Sequence, residues 1–473
     1  MRTIDTIYID GAFVTPHGTE LFDLHNPTTG AVIGRVRLGD EQDAQRAIAA
    51  AKRAHISYRR TGKAERIALL HRLHDAVAAH ADALVDTIVE EYGAPAPRAA
   101  ATPRYAAAVF LDAARALEEY DFHRAIGTAD IVMQPLGVAG LISPWNANAG
   151  FICAKLASAL AAGCTAVIKP SEMSALQTQA VLQALHEADL PPGLFNVVNG
   201  RGPVVGREIT MSNDVAKISF TGSTAVGKEI VKVGADSMKR VTLELGGKSP
   251  SIILDDADFE KIMPALLDVG FMNSGQACMA GTRILVHEKQ LDAFAPVLRA
   301  AVEATQVGDP RDPATKVGPM VSQKQWDTVQ RYIQAGLDEG ATLLAGGPGK
   351  PKGLESGFFV KPTVFTGVDN HMTIAREEIF GPVLSVITYK DEDDAIAIAN
   401  DTTYGLQAYI FSSDIARAQR LSHDVEAGRV FINGNYFEPM APFGGFKQSG
   451  IGREFGVYGL EAFLEPKTLM GCR

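Results

Sequence analysis

The sequence contains few cysteines and no apolar leader. The four cysteines, Cys153, Cys164, Cys278 and Cys472, form no CxxC pair and no paired framework in 473 residues. This usage is typical of a reducing compartment and argues against a secreted, disulfide-stapled protein. The first residues also lack the hydrophobic core of a signal peptide. We therefore expect a cytoplasmic protein.

Positive charge and long apolar runs are also scarce. The chain has 45 Lys and Arg against 55 Asp and Glu, a net charge of −10, and no basic block, which argues against nucleic acid as a partner. The most apolar stretch, 151–168, is interrupted by Lys155, so we expect a buried helix there and no membrane partner. The length and the 46% hydrophobic content predict a globular chain of about two to four domains.

Several catalytic motifs are absent as well. The sequence has no HExxH, no GxSxG and no GxGxxG, and its eleven histidines show no metal-ligand spacing. We therefore predict no metal site.

What the sequence does contain is a regular alternation of apolar runs and helical patterns. Apolar residues recur at helical spacing over 40–93 and again from about 99 to 120. Beyond them, short apolar runs alternate with helical stretches, and this order predicts βαβ units and parallel sheets. The predicted strands are 138–143, 166–169, 195–198, 215–220 and 241–245 in a first block, and 251–254, 284–287, 364–365, 383–388, 408–411 and 430–433 in a second.

Glu244 and Cys278 are the first candidates for chemistry. Glu244 precedes a Gly-Gly pair, and Cys278 stands 34 positions later in Gly-Gln-Ala-Cys-Met-Ala-Gly. A thiol is a strong nucleophile only as a thiolate or beside a base, and a carboxylate is such a base. The pair suggests attack by a thiol on an electrophilic carbon, followed by activation of water. A buried structural cysteine and a strand-ending glutamate are the alternative interpretation.

Three further segments stand at predicted strand ends. The segment 220–228, FTGSTAVGK, has the glycines of a phosphate-binding turn, but Glu229 replaces the Ser or Thr of a P-loop. Lys169 and Glu172 are placed either to bind a ribose or to form a surface ion pair. Asn146 is a possible oxyanion donor, although Asn is also common in turns.

Taken together, these segments resemble the NAD(P)-dependent aldehyde dehydrogenase superfamily, in motif order and spacing, from about residue 10 to residue 469. The resemblance implies an α/β, aldehyde dehydrogenase-like fold with two parallel-sheet Rossmann-like domains and a small β oligomerisation domain. We place the cofactor domain at 1–122 and 139–246, the catalytic domain at 247–440, and the oligomerisation arm at 123–138 and 455–473. The resemblance further implies a homodimer or homotetramer. The apolar tail, 463–469, is expected to pair either with a neighbouring subunit or with its own domain.

The resemblance also implies catalytic roles for individual residues. Cys278 would attack the aldehyde and carry a thiohemiacetal and then a thioester. Asn146 and the backbone N–H of Cys278 would stabilise the oxyanion. Glu244 would activate the water that releases the carboxylic acid. Lys155 and Glu454 would relay protons away from Glu244.

A cofactor site is implied in the same way. Glu172 beside the ribose 2′-hydroxyl favours NAD over NADP, because a carboxylate accepts a hydrogen bond from the hydroxyl and repels a 2′-phosphate. The residues that the resemblance assigns to cofactor binding are Ser143, Trp145, Lys169, Ser171, Glu172, Gly222, Ser223, Leu245, Glu378 and Phe380.

The sequence departs from the family pattern after Asn146. The family usually has an aromatic residue and a proline there, whereas this chain has Ala147 and Asn148. We expect a wider substrate tunnel, lined by Ala147, Met279 and Phe443, that admits larger or aromatic aldehydes. The missing proline also leaves the loop of Asn146 less constrained.

Alternative functions on the same fold are a CoA-acylating enzyme and a non-catalytic binding protein. The presence of Glu244 argues against the first, and the presence of Cys278, Glu244 and Asn146 together argues against the second. Esterase activity of the same thiol would be a side reaction. The identity of the aldehyde stays open, and Arg283 is the arginine nearest to the nucleophile in sequence.

Overall fold

The structure is a computed structural model that describes residues 2–436 and 438–471. Cys472 lies outside the described residues. Within them the strands, numbered in chain order, are β1 (Arg2–Ile4), β2 (Ile7–Ile9), β3 (Ala12–Val14), β4 (Leu21–His25), β5 (Val32–Arg37), β6 (His123–Ile126), β7 (Ala129–Pro135), β8 (Val138–Ile142), β9 (Thr165–Lys169), β10 (Phe195–Val197), β11 (Val215–Thr221), β12 (Arg240–Glu244), β13 (Pro250–Ile253), β14 (Arg283–His287), β15 (Thr342–Ala345), β16 (Thr363–Thr366), β17 (Val383–Tyr389), β18 (Gln407–Phe411), β19 (Arg429–Ile432), β20 (Gly450–Ile451) and β21 (Leu464–Met470).

Helices connect most of these strands. In chain order they are α1 (Glu41–Tyr58), α2 (Lys63–Ala79), α3 (Ala81–Thr87), α4 (Ala96–Glu119), α5 (Asn148–Ala162), α6 (Ala175–Glu187), α7 (Arg207–Met211), α8 (Thr224–Ala235), α9 (Phe259–Gly270), α10 (Leu291–Glu303), α11 (Gln323–Asp338), α12 (Thr373–Arg376), α13 (Glu392–Asn400), α14 (Ile415–Ser422) and α15 (Gly456–Glu461). Short 3-10 turns cover Glu172–Ser174, Met272–Gly275, Glu288–Gln290 and Lys447–Ser449, and π-turns cover Ile88–Tyr92 and Gly202–Gly206.

An eight-stranded sheet in the first half of the chain has the order β20-β12-β11-β8-β9-β10-β2-β3. Its five central strands, β12 to β10, are parallel, and the flanking strands are antiparallel. From β8 the chain proceeds outward through β9 and β10, then crosses to the other side of β8 for β11 and β12. The order therefore reverses between β8 and β11, and such a switch point is where open α/β sheets bind ligands.

Burial explains why these central strands form. Every residue of β8 and β9 is buried, because helices cover both faces of the sheet. The helix α5 is almost entirely buried as well, and it ends at Gly163, whose φ of +90° favours glycine. No helix in the described part of the chain is long and apolar enough to cross a membrane.

Three further sheets complete the α/β fold, one of which is the three-stranded sheet β1-β5-β4. A seven-stranded sheet, in the order β15-β16-β17-β14-β13-β18-β19, is parallel except for β15. A three-stranded antiparallel sheet has the order β21-β7-β6, with β21 paired to β7 along its whole length. Of the two expected partners for the tail, the structure shows strand β7 of the same chain.

The predicted α/β class and all the predicted strands are confirmed, whereas some details differ. The helical region 40–93 consists of three α-helices and a π-turn. The sheet β1-β5-β4 and the strands β2 and β3 were missed, because short edge strands carry little periodicity. Ser171 caps the short turn Glu172–Ser174 and not the α6 helix that follows it. The domain boundaries stay a prediction.

Candidate active site

Polar residues cluster where the parallel strands around the switch point end. Ser143 follows β8, Lys169 ends β9, Thr221 ends β11 and Glu244 ends β12. All four are buried. The carboxyl ends of neighbouring parallel strands lie along one edge of a sheet, so the fold brings together side chains that are up to about a hundred positions apart.

Glu244 is a buried carboxylate without a hydrogen-bond partner among the described residues. It is 1% exposed, and neither carboxylate oxygen is paired. Burial, reinforced by the negative charge of Glu454, raises the pKa of Glu244 well above its usual value, and the positive charge of Lys155 opposes the rise. A glycine at position 444 leaves room for this carboxylate, since a Cβ there would lie 2.7 Å from Oε1. A carboxyl group of raised pKa is a stronger base once it is ionised.

Cys278 lies in a tight turn that a left-handed segment introduces. Asn273, Ser274 and Gly275 have φ values of 54°, 59° and 76°, which direct the chain sharply toward the cysteine. A Cβ at Gly247 would lie 2.2 Å from the carbonyl oxygen of Cys278, so the Gly-Gly segment after Glu244 packs directly on the cysteine turn. The two motifs, 34 positions apart in sequence, are thereby neighbours in space.

The Cys278 thiol is partly accessible and not in a disulfide. Burial raises the pKa of Cys278, and the charges of Glu378 and Glu244 raise it further against the backbone amides of Cys278 and Met279. The thiol therefore needs a base or a nearby positive charge to become a nucleophile.

Asn146 is anchored to the same turn. Its Nδ2 donates to the carbonyl of Gln276 at 3.0 Å, and its own carbonyl accepts from Nδ2 of Asn273 at 3.0 Å. The carbonyl of Gln276 takes only one of the two amide hydrogens, which leaves the second for an oxyanion. Gln276 and Asn273, which sequence reasoning missed, therefore fix the amide beside the thiol. Both residues lie within five positions of Cys278 in the sequence, and this proximity could have identified them as candidates.

Glu378 faces this region from the loop before β17. Its Oε1 accepts from the N–H of Gly247 at 3.1 Å, and burial raises the pKa of Glu378 to about 7. Two residues later Phe380, at a φ of 57°, places its ring edge-to-face on Trp145, with centroids 5.4 Å apart. Three predicted cofactor residues therefore lie beside the cysteine turn and the loop of Asn146.

Lys169 and Glu172 form an ion pair of 3.2 Å at the end of β9. Burial by itself would raise the pKa of Glu172. The positive charge of Lys169 opposes this effect, together with a backbone hydrogen bond and Arg201, and the pKa of Glu172 is lowered overall. Arg201, a residue missed from the sequence, contacts the other carboxylate oxygen at 3.5 Å and is itself held by Glu20 at 2.7 Å. Its guanidinium also lies 4.7 Å above the ring of Phe22.

The remaining predicted cofactor residues lie nearby along the switch point. Ser143 has a buried hydroxyl with no hydrogen-bond partner in the described part of the chain. Gly222 donates its N–H to the carbonyl of Glu244 at 3.0 Å, and Leu245 packs against α8 at Gly227. Ser223 is exposed and uses its hydroxyl to cap α8, so only its backbone and the helix N-terminus face outward.

Lys155 and Glu454 form a buried ion pair of 2.5 Å. Ser219, which sequence reasoning missed, donates to Glu454 at 3.1 Å and accepts from Lys155 at 3.0 Å. Lys155 comes from α5, Ser219 from β11, and Glu454 from the segment after β20. Ser219 could have been noticed in the sequence, because it is a polar residue two positions after Lys217 on the same face of a buried strand.

The predicted tunnel residues flank the reacting groups. Ala147 follows Asn146, and Met279 follows Cys278. Phe443 exchanges backbone hydrogen bonds with Glu454, and Arg429 lies 5.1 Å above its ring. Arg283 is directed elsewhere: its guanidinium donates to the carbonyls of Ile398 and Ala399 at the end of α13.

The loop of Asn146 is held without the family's proline. Asn148 is buried at the start of α5, and its Nδ2 donates to the carbonyl of Ser174 and to Oγ1 of Thr178, both at 2.9 Å. The expected loosening of this loop is therefore countered by a tie between α5 and α6.

The residues present fit a dinucleotide better than a metal. No group of three or more potential metal ligands occurs among residues 2–436 and 438–471. By contrast, the unpaired hydroxyl of Ser143, the helix N-terminus at Ser223 and the carboxylate of Glu172 follow strands β8, β11 and β9 of the eight-stranded sheet. The carboxylate of Glu378 reaches the N–H of Gly247, just beyond β12. These are groups that bind phosphate and ribose.

Comparison with known proteins identifies the family. Residues 13–469 match the aldehyde dehydrogenase family. A 3-succinoylsemialdehyde-pyridine dehydrogenase from a Pseudomonas species is 44% identical over 473 residues, which cover 100% of this chain and 99% of that protein. An aldehyde dehydrogenase C variant from Pseudomonas syringae, solved with NAD+ and octanal, has a TM-score of 0.97 at 42% identity and covers 99% of this chain and 97% of its own.

A third relative is a betaine aldehyde dehydrogenase from Staphylococcus aureus, solved with NAD+. It has a TM-score of 0.95 at 36% identity, over 98% of this chain and 94% of that one. The chain described here belongs to the aldehyde dehydrogenase family.

Proposed function

We propose that this protein is an NAD-dependent aldehyde dehydrogenase that releases a carboxylic acid. The observation that carries the proposal is the packing of the Gly246-Gly247 segment on the cysteine turn, which brings Glu244, Cys278 and Asn146 together. We further propose a cytoplasmic homodimer or homotetramer.

The reaction starts at Cys278. Glu244 takes the thiol proton, because it is a carboxylate whose charge reaches the thiol and whose raised pKa makes it a better base. The thiolate attacks the aldehyde carbon and forms a thiohemiacetal. The free amide hydrogen of Asn146 and the N–H of Cys278 stabilise the oxygen as it becomes negative.

NAD+, when bound, accepts the hydride that leaves the thiohemiacetal carbon, and Cys278 is left with a thioester. The residues that would hold it are the hydroxyl of Ser143, the helix N-terminus at Ser223, and the ribose-binding carboxylates of Glu172 and Glu378. Bound NAD+ in two similar structures supports this cofactor. Glu172, held between Lys169 and Arg201, favours NAD over NADP.

Hydrolysis completes the reaction. Glu244 first passes the thiol proton on to Lys155 and Glu454. It then removes a proton from water, the hydroxide attacks the acyl carbon, and the C–S bond breaks to give the acid and the Cys278 thiolate. Burial suits Glu244 to this step, because a low-dielectric site strengthens its basicity once it is ionised. Lys155 and Glu454 accept the proton next.

The substrate is an aldehyde of larger size. Ala147 leaves room at a position where the family usually has a bulky ring. One relative solved with octanal and another named for a pyridine-bearing semialdehyde support an extended or aromatic substrate.

The decisive experiment follows NADH formation with octanal, benzaldehyde, betaine aldehyde and succinic semialdehyde. We expect turnover with octanal or benzaldehyde and none in Cys278→Ser. Glu244→Gln is expected to form one NADH per site slowly, because the thiol has lost its base, and then to stop, because the thioester is not hydrolysed. Full activity of Cys278→Ser would contradict the mechanism.

Product analysis separates acid release from acyl transfer. We expect the carboxylic acid to form at the same rate with and without coenzyme A. Formation of an acyl-CoA in place of the acid would support the CoA-acylating alternative.

The tunnel proposal has its own test. Ala147→Phe restores the bulk usual in the family, so kcat/KM for benzaldehyde should fall by about tenfold or more relative to a short aldehyde such as propanal. Ala147→Ser, which changes polarity with little bulk, is the control. An unchanged preference for ring and chain length in Ala147→Phe would exclude the wider tunnel.

A further inference from the structure

A file of buried polar side chains extends along the sheet behind Glu244. Strands β11 and β12 pair in parallel, with Thr221 beside Glu244 and Ser219 beside Thr242. Residues two apart on a strand face the same side, so these four side chains share one face. Lys217 joins the file through a 2.5 Å hydrogen bond to Oγ1 of Thr242. Buried polar side chains are costly, and a continuous file of them calls for a role.

Two small cavities continue this file toward the surface. The inner cavity has a volume of about 10 Å³ and is lined by Lys155, Ser219, Thr242 and Glu454. A cavity of this size holds about one water molecule, and its polar lining provides the partners that a buried water needs.

The outer cavity adjoins the inner one. It has a volume of about 20 Å³ and lies between α4, α5 and α15. Ala154, Ser158 and Phe455 line both cavities, and of these only Ser158 has a hydroxyl. Ser158 lies one turn after Lys155 on α5 and therefore on the same side of the helix.

Asp112 is the only titratable residue among the described residues that line the outer cavity. It belongs to α4, lines that cavity and is partly exposed. Burial raises the pKa of Asp112, and Glu438 adds to this effect against Arg115. A carboxyl group between a cavity and solvent can pass a proton from one to the other.

We propose that the proton collected by Glu244 leaves along this route. It passes through Lys155, Ser219 and Glu454, a water in the inner cavity, Ser158 and a water in the outer cavity, and it reaches solvent at Asp112. This inference rests on the proposed function and extends it, because it assigns Ser158 and Asp112 as positioning residues for proton release.

Hydrolysis leaves a proton on Glu244, and this proton needs an exit to solvent before the next turnover. Hydrolysis places hydroxide on the acyl carbon, leaves Cys278 as thiolate and leaves one proton on Glu244. Glu244 is buried and cannot pass that proton directly to solvent. The remaining exit is the substrate tunnel, which product occupies at that moment.

Stopped-flow kinetics of the holoenzyme with saturating NAD+ and aldehyde test the route. Ser158→Val fills the passage between the cavities and removes its hydroxyl. We expect an unchanged rate of first-turnover NADH formation, a fall in the steady-state rate of about tenfold, and proton release to an indicator dye that lags behind NADH. Ser158→Ala, which leaves space for water, should stay within about twofold of the wild type.

A control separates this effect from disturbed packing. Ala157→Val adds bulk to the same helix at a buried residue that lines neither cavity. We expect its proton release to keep pace with NADH. If proton release lagged behind NADH formation equally in Ala157→Val and Ser158→Val, the proposed route would be wrong.

Buffer rescue provides a second, independent measurement. Asp112→Asn removes the proton acceptor at the mouth, where a small buffer such as imidazole can replace it. We expect imidazole to restore the steady-state rate of Asp112→Asn. It should not restore that of Ser158→Val, because that substitution blocks the passage between the two cavities, which the buffer does not reach. Wild-type proton release in both variants would show that the proton leaves through the substrate tunnel. A wild-type enzyme that makes no NADH from any aldehyde would instead contradict the proposed function.

Discussion

Among individual residues, Glu244 shows how strongly surroundings decide chemistry. Its carboxylate lies between the negative charge of Glu454 and the positive charges of Lys155, Arg453 and Arg429, without a hydrogen bond of its own among the described residues. Burial is the largest cause of its raised pKa, and the neighbouring charges tune it in opposite directions. The base is therefore adjustable through residues that never touch the substrate.

A pair of substitutions should move the acidic limb of the pH–rate profile in opposite directions. Glu244 acts when ionised, so activity is present above its pKa and is lost as the pH falls through it. Glu454→Gln removes a negative charge, lowers the pKa of Glu244 and should extend activity to lower pH. Lys155→Met should shift the limb to higher pH. The profile of kcat against pH measures both, and shifts of the same sign would contradict this account.

A second prediction at this scale concerns the cofactor. Glu172→Gln removes the carboxylate that pairs with Lys169 and Arg201 and would repel a 2′-phosphate, while Arg201 keeps Glu20 as a partner. We therefore expect kcat/KM for NADP+ to rise by about tenfold or more. Arg201→Gln in the Glu172→Gln background should reverse much of that gain while kcat/KM for NAD+ changes little. Arg35→Gln, at an exposed arginine paired with Asp23, is the matched control. If the double variant used NADP+ as well as Glu172→Gln does, Arg201 would have no part in the choice.

Among the secondary-structure elements, the junction between α5 and α6 is the most informative. Asn148 begins α5 and donates two hydrogen bonds to α6 and the turn before it. The 3-10 turn at that point carries Glu172, and the loop before α5 carries Asn146. One buried amide thus connects a proposed catalytic loop with a proposed cofactor loop.

Loss of this tie should affect both stability and turnover. Asn148→Asp keeps the shape of the side chain but replaces its donors with acceptors, so we expect the free energy of unfolding to fall by about 1–3 kcal/mol or more, together with a lower kcat. Thr178→Val removes one acceptor of Asn148 and the hydrogen bond that the Thr178 hydroxyl donates to the carbonyl of Ser174, and it should cost less because no charge is buried. Denaturant unfolding and steady-state kinetics measure the two effects. A fully stable, fully active Asn148→Asp enzyme would show that the tie is dispensable.

At the scale of the whole molecule, the last strand of the described chain pairs with a strand from the first third of the sequence. Strand β21 pairs with β7, and together with β6 they form a sheet separate from the other three. The carbonyl of Phe463 also accepts from the thiol of Cys164, so the start of the tail is tied to the end of α5.

Truncation after Phe463 should therefore lower both the thermal midpoint and the mass in solution. Without β21 the backbone of β7 loses a row of hydrogen bonds, and the small sheet loses a strand through which subunits could pair. Differential scanning calorimetry and light scattering measure the two quantities. Lys467→Ala, an exposed side chain in the same strand, is the control and should change neither. An unchanged mass after truncation would place the subunit contact elsewhere.

Some features of this protein are determined by the sequence alone. Apolar runs that alternate with helical periods are a local signal, so the α/β class and the central strands could be predicted. The glycines beside Glu244 and the order of the short motifs were equally local, and they were sufficient to select Cys278, Glu244 and Asn146 as candidates. Short edge strands such as β1 and β3 could not be predicted, because few residues carry their pattern.

Other features depend on contacts between distant parts of the chain, and only the tertiary structure decided them. Gln276 fixes Asn146 across 130 positions, and Ser219 bridges Lys155 and Glu454 from a third element. The tail had two possible partners, and the fold selected β7. Burial sets the basicity of Glu244, and burial is a property of the folded chain. The sequence identified the candidate reacting groups, while the fold decided how each is held and which charges surround it.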